Sequence, residues 1–292
     1  MRARDIMALI ILVVVAFGGQ LMRGEDATPR APAPDSPRRP APEHPGSGAW
    51  DAETRDWVQG APSRNPNRSS PFASIPRESV VDIPRQRSSG VGTAFAVGPG
   101  AWITARHVID GCDDIGVQFE PRKAIKVANV RLHKNADVAL LQTRRASDPF
   151  EIAEAAAAGE DGYMVGFPGG SPGAVHARMI GETTLREQGR YRTRERANVW
   201  AERSRIPDRF GSLGGLSGGP VFDGQGRILG AVLAEEPRRG RIIAAKTSTL
   251  RDLVTEKVSG APGVSFTGNS YPQTARTLIT GLRVARVLCR VR

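Results

Sequence analysis

From Ser88 onward the chain leaves almost no room for a long helix. Its apolar residues come in short runs, TAFAV, AWITA, KVANVRLH, DVALLQT, GYMVGF, PVF, RILGAVL and RIIAAK, each stopped by glycine, proline or polar residues. Short β-rich runs punctuated this often specify an antiparallel β protein. Gly98-Pro99-Gly100, between TAFAV and AWITA, reads as a hairpin turn. Three stretches depart from the pattern: EIAEAAAAG is a helix or a polar connection, TSTLRDLVTEKV spaces its apolar residues as a helix does, and ARTLITGLRVARVLCRV mixes both periods.

Residues 215–232, GLSGGPVFDGQGRILGAV, place a serine among glycines just before an apolar run. Glycine in such density marks a backbone that turns sharply or comes close to a ligand. A hydroxyl on such a turn, beside free backbone N–H groups, is what acyl transfer by a serine nucleophile requires, because the N–H groups receive the developing oxyanion. A Gly-rich hairpin loop is the alternative. The chemical reading needs a base and a carboxylate. Of the four histidines, His44, His107, His133 and His176, His107 ends a strand in WITARHVIDGC, where an imidazole can project into a cleft. The alternative is a satisfied histidine at a strand end. Asp137, in KNADVALLQT, stands at the mouth of an apolar run. An acid there is costly without a hydrogen-bonded partner, and an imidazole N–H is one such partner. A simple turn residue is the alternative.

The N-terminus bears on where the chain folds. Ile6 to Met22 is seventeen residues without a charge, at the lower end of the roughly 17 to 25 that span a bilayer. Arg2 and Arg4 precede it and Glu25 and Asp26 follow it, which keeps the N-terminus cytoplasmic and exports the rest. Residues 1–26 are thus a signal anchor, or a signal peptide cleaved after the small residues around Phe17. Residues 27–87 are rich in Pro, Arg and Ser and read as a disordered tether, with Trp50 and Trp57 seven positions apart as a candidate short helix.

The net charge of +11 comes from dispersed arginine, without the basic block or basic-aromatic motif of specific nucleic-acid binding. Arginine is densest over 178–209, read as a solvated loop or hairpin near the cleft. With two cysteines and no metal-ligand spacing, neither a metal nor another cofactor is expected.

Together, TARHV with His107, NADVALLQ with Asp137 and GLSGGP with Ser217 resemble the trypsin-like serine peptidases of chymotrypsin fold, in that family's order. The resemblance covers roughly 88–258, and the compact loops look most like bacterial high-temperature-requirement (Deg-type) protease domains without a PDZ module. It implies an all-β fold of two antiparallel six-stranded β-barrels with the active site between them. A short C-terminal helix and an extension, 259–292, would pack on the protease domain. It also implies a serine endopeptidase acting on protein or peptide, in the periplasm on an inner-membrane anchor, or secreted if the leader is removed. An inactive protease-fold scaffold that binds a partner is the alternative. Ser217 would be the nucleophile, His107 the general base and Asp137 its orienting acid, with the Gly215 and Ser217 N–H groups as oxyanion hole.

Leu216 stands where zymogen members of the family carry an aspartate, so that activation switch is absent. The resemblance points to Gly211, Glu235 and Ala245 as the specificity pocket, with Ala244 beside it. Gly211 lacks the acid of a trypsin-type pocket, which suits a small apolar side chain unless Glu235 supplies the acid. In an exported chain Cys112 and Cys289 would pair, two free buried thiols being the alternative.

Overall fold

Gly98 and Gly100 bracket the first turn of the fold, and Gly100 adopts φ +68°, where a side chain would meet the Thr143 carbonyl. That turn joins β2 (Gly90–Gly98) to β3 (Ala101–Ala105), the expected hairpin. The structure, a computed structural model, describes residues 48–58, 74–208, 211–254 and 264–292. The expected span at 6–22 lies outside them, and among the described residues no helix is long and apolar enough to cross a membrane.

Among the described residues the strands form two sheets of seven strand segments each. In the first, β5 (Lys123–Lys126), β4 (Asp114–Glu120), β14 (Val284–Arg290), β2, β3, β7 (Val138–Gln142) and β6 (Asn129–Leu132) lie side by side in that order. Its edges β5 and β6 are consecutive in the chain. Between them the amides of Val127 and Ala128 donate to Ile115 and Gln142, so one stretch of backbone runs along both edges. In the second sheet β9 (Gly173–Gly189), β10 (Thr193–Ile206), β13 (Arg241–Lys246), β12 (Ile228–Glu236), β11 (Pro220–Phe222) and β8 (Asp161–Gly166) follow one another. β8 then pairs back onto β9, which closes a six-strand ring. β1 (Glu78–Ile83) lies outside that ring as a parallel partner of β9.

The expectation of two six-stranded barrels is therefore refined. One ring is closed and carries an extra edge strand. The other sheet is completed by β14, from the C-terminal segment, between β2 and β4. That segment is an integral strand, not a mere packing extension. ARTLITGLRVARVLCRV mixes two periods because it is two elements, a helix over Tyr271–Thr280 and then β14. EIAEAAAAG is a connection with one β-bridge, Ile152 to Ile228.

The tether reading does not hold for its described parts. Residues 78–83 form β1, and α1 (Gly48–Thr54) with the following helical turn buries Trp50 and Trp57. Trp50 donates its indole N–H to the Phe119 carbonyl and lies 5.1 Å from the Phe167 ring. An indole that buries its rings and satisfies its one donor gains far more by docking than by staying in solvent. Of the arginine-dense 178–209 region, residues 178–206 lie in the β9–β10 hairpin, whose strands largely alternate buried and exposed positions.

Candidate active site

The glycines around Ser217 act through what they lack. Gly215 and Gly218 have φ of +96° and +82°. A Cβ on Gly218 would stand 2.6 Å from the Ala105 nitrogen and 2.4 Å from Thr104 Oγ1. Only glycine lets this loop lie against β3, whose last residue, Ala105, leads into α2 (Arg106–Ile109) and His107. Thr93 of β2 completes the seam, its N–H donating to the Ser217 carbonyl at 2.9 Å and its hydroxyl to the Gly215 carbonyl at 2.8 Å. The Ser217 loop is thereby fixed to the sheet that supplies His107.

Most amides in the loop have intramolecular acceptors. Leu213 donates to Glu235, Gly214 to Ser212 Oγ, Leu216 to Leu213, Gly218 to Val232 and Gly219 to Leu216. Among the described residues, the amides of Gly215 and Ser217 donate to no protein acceptor. These are the two groups expected from the sequence to form the oxyanion hole.

Asp137 is 1% exposed and fully engaged. Its Oδ2 lies 2.6 Å from His107 Nδ1, while Oδ1 accepts the His107 backbone N–H at 2.9 Å and the Tyr191 hydroxyl at 2.6 Å. A carboxylate only accepts, so Nδ1 carries its proton and Nε2 presents a lone pair. Burial opposes protonation of His107, but the charge and hydrogen bond of Asp137 outweigh it and hold the imidazole above its ordinary pKa. The His107 side chain is 24% exposed and Ser217 is half-buried, so both can be reached. Among the described residues no hydrogen bond joins the Ser217 hydroxyl to the His107 ring. Such contacts commonly tighten only with substrate bound.

Two buried acids, Glu187 and Glu195, back this pair and escape a reading by sequence. Glu195 Oε1 accepts the Asp137 N–H at 2.8 Å, and Glu187 accepts the Thr193 hydroxyl. Burial, with the Asp137 charge added, pushes Glu187 up to about 7, and burial drives Glu195 up to about 8. Burial foremost, then the Asp137 charge, also raises Tyr191, so its hydroxyl stays protonated and donates. The available signal was alternation in YRTRER, which puts Arg192 and Arg194 outside and Tyr191, Thr193 and Glu195 inside.

The proposed specificity residues do not gather into one lining. Gly211 is exposed with open space around it, and Glu235 is on the same rim, bound to the Leu213 N–H, Ser212 Oγ and the buried Arg205. Ala245 is fully buried and packs with the larger core cluster, while its neighbour Ala244 faces Leu213 and Leu216 in the other. Alternation along β13 separates them. Leu216 is fully buried. His133 faces Asp252 and His176 stacks on Tyr163, so neither enters the site. Cys112 and Cys289 are disulfide-bonded, with Cα atoms 5.4 Å apart.

Residues 92–230 match the trypsin-like peptidase domain family. The serine protease Rv3671c of Mycobacterium tuberculosis strain H37Rv is 29% identical over 173 residues, which span 56% of this chain and 42% of that protein. The chain therefore spans less than half the length of this relative. The crystal structure of the active form of the Rv3671c protease superposes at a TM-score of 0.47 and 20% identity, covering 68% of this chain and 96% of that one. The HtrA-type protease AlgW with decapeptide gives 0.45 and 19%, covering 56% and 50%. Over residues 92–230 the sequence is thus similar to the trypsin-like peptidase domain, within a chain of 292 residues.

Proposed function

We propose that this chain is a serine endopeptidase, with Ser217 as nucleophile, His107 as general base and Asp137 as its orienting acid. The observation that carries the reading is the 2.6 Å contact of Asp137 Oδ2 with His107 Nδ1, beside a serine loop pinned to the strand leading into that histidine. In the reaction, the Ser217 hydroxyl attacks the scissile carbonyl and His107 Nε2 takes its proton. The imidazolium so formed is stabilised by Asp137 and then protonates the leaving amine. Water hydrolyses the acyl-enzyme by the same path in reverse. The uncommitted Gly215 and Ser217 N–H groups would receive the oxyanion, each contributing on the order of 3 kcal/mol to the transition state.

Location and preference follow. The apolar run at 6–22 would anchor or export the chain, and the Cys112–Cys289 bond is the chemistry of an oxidising compartment such as the periplasm. Glu235 is already held by Arg205 and Leu213, so it offers no free acid, which favours a small apolar side chain before the cleaved bond. A fluorophosphonate probe tests the activity: wild type should be labelled, and Ser217→Ala and His107→Ala should not. A folded wild type that resists labelling would leave the inactive scaffold as the reading.

A further inference from the structure

The turn of the β9–β10 hairpin, residues 189–192, reaches out of the second sheet to both elements that carry the His107–Asp137 pair. Arg190 Nε lies 2.5 Å from Asp110 Oδ2 and Nη2 donates to the Asp110 carbonyl at 2.9 Å, at the end of the turn that bears His107. Its backbone N–H donates to Ile83, and Nη1 to the carbonyls of Pro84 and Gln86. Arg194 donates its N–H to Asn135, two residues before Asp137. Between these fixed points Tyr191 is 9% exposed, its ring under the Arg106 guanidinium at 4.0 Å and its hydroxyl on Asp137 Oδ1 at 2.6 Å.

A carboxylate free to turn about its Cβ–Cγ bond could present either oxygen to an imidazole. The His107 backbone N–H restrains Oδ1 but belongs to the same turn that must be oriented, so it supplies no independent reference. Tyr191 does, because its position is set by the second sheet. Among the described residues it is the one side chain besides the His107 ring that hydrogen-bonds the Asp137 carboxylate. The other charged or titratable groups around this pair are Glu187 from β9, Glu195 from β10, and Arg106 and Arg190.

We propose that Tyr191 is a positioning residue: its hydroxyl holds Asp137 Oδ1 so that Oδ2 stays aimed at His107 Nδ1. Arg190 keeps the hairpin turn docked on Asp110 and on the segment after β1, so that the hydroxyl reaches its acceptor. The proposal rests on the serine-peptidase reading of the site.

The test uses Tyr191→Phe in the full chain, with Tyr271→Phe as comparison because that hydroxyl bonds only Ser204 among the described residues. Tyr191→Phe is expected to lower kcat at least tenfold with KM within twofold, and to move the acid limb of the pH profile downward. The downward direction follows because a carboxylate no longer held on His107 Nδ1 stabilises the imidazolium less. The low-field proton resonance of His107 Nδ1–H should shift or broaden. Tyr271→Phe should change none of these. A Tyr191→Phe protein with kcat within twofold and an unmoved low-field proton overturns the proposal. So does an activity loss that only tracks the unfolded fraction while that proton stays in place. Arg190→Gln should lower kcat in the same direction, and an unchanged kcat there overturns the docking role. The low-field proton is read without turnover. If it moves in Tyr191→Phe while wild type resists the fluorophosphonate, the peptidase reading alone fails.

Discussion

Cys289 is bonded to Cys112 across 177 residues of chain, and the bond ties β14 to the turn that follows His107. β14 sits between β2 and β4, so its loss would open the first sheet next to β2, the partner of the strand that leads into His107. Closing a loop of this length stabilises by about 5 kcal/mol in the chain-entropy treatment. Cys289→Ser, or reduction of wild type, is expected to lower the thermal midpoint by many degrees and to depress activity at temperatures where wild type is unaffected. An unchanged midpoint in dithiothreitol, with both thiols titrating as free, would contradict this.

Gly215→Ala should separate backbone chemistry from side-chain chemistry. A Cβ there would lie 2.5 Å from the Phe167 carbonyl, on a residue at φ +96°. The loop must turn to relieve that contact, and the Gly215 N–H turns with it. The expected result is a fall in kcat of about a hundredfold or more with the side chains of His107, Asp137 and Ser217 unchanged, together with a lower thermal midpoint. Retained turnover would remove Gly215 from the oxyanion role.

Trp50 tests how firmly the segment before the peptidase domain is held. The ring is 1% exposed, packs tilted against Phe167 and has Arg286 over it at 5.1 Å. Truncating a buried aromatic of this size costs about 3 to 5 kcal/mol, so Trp50→Ala should shift the denaturation midpoint strongly and expose residues 48–58 to added protease. Trp50→Phe loses chiefly the N–H bond to Phe119 and should cost about 1 kcal/mol. Equal stability of all three proteins in urea would show that the docking contributes nothing.

What the sequence disclosed and what it hid divide along a physical line. His107, Asp137 and Ser217 were legible because each sits in a local pattern that a strand end or a glycine bend dictates. The same is true of β2, β3, β7, β8 and β11 to β13, whose apolar content declares itself within a few residues. β1 carries Glu78 and Asp82 and β10 alternates arginine with other residues at its start, and their buried faces include Ser79, Thr193 and Glu195. Such a pattern looks solvated until the partner strand is known. β1 lies along β9, some hundred residues later in the chain, and no local signal encodes that. The docking of Trp50 was not legible within the tether because its acceptor, Phe119, is 69 residues away. The specificity trio failed to converge for a simpler reason, the two-residue period of β13, which sends Ala244 and Ala245 to opposite faces.

The acids behind Asp137 should make stability fall with rising pH. Glu187 is held up to about 7 and Glu195 to about 8, against an ordinary value of 4.5, mainly by burial. Between roughly pH 5 and 8 the folded protein therefore keeps protons that the unfolded chain releases, and stability falls wherever the folded state binds more protons. The contribution is complete below the ordinary carboxylate value and is lost as pH rises through the folded values. His107, also raised, works in the same direction. Glu195→Gln keeps an oxygen that can accept the Asp137 N–H and removes the ionisation. Its stability curve should cross the same range more flatly, gaining on wild type by up to about 1.4 kcal/mol per pH unit and reaching a few kcal/mol by pH 9. Urea denaturation of both proteins at intervals from pH 5 to 9 measures this directly, and parallel curves would mean that Glu195 is already ionised in the folded state.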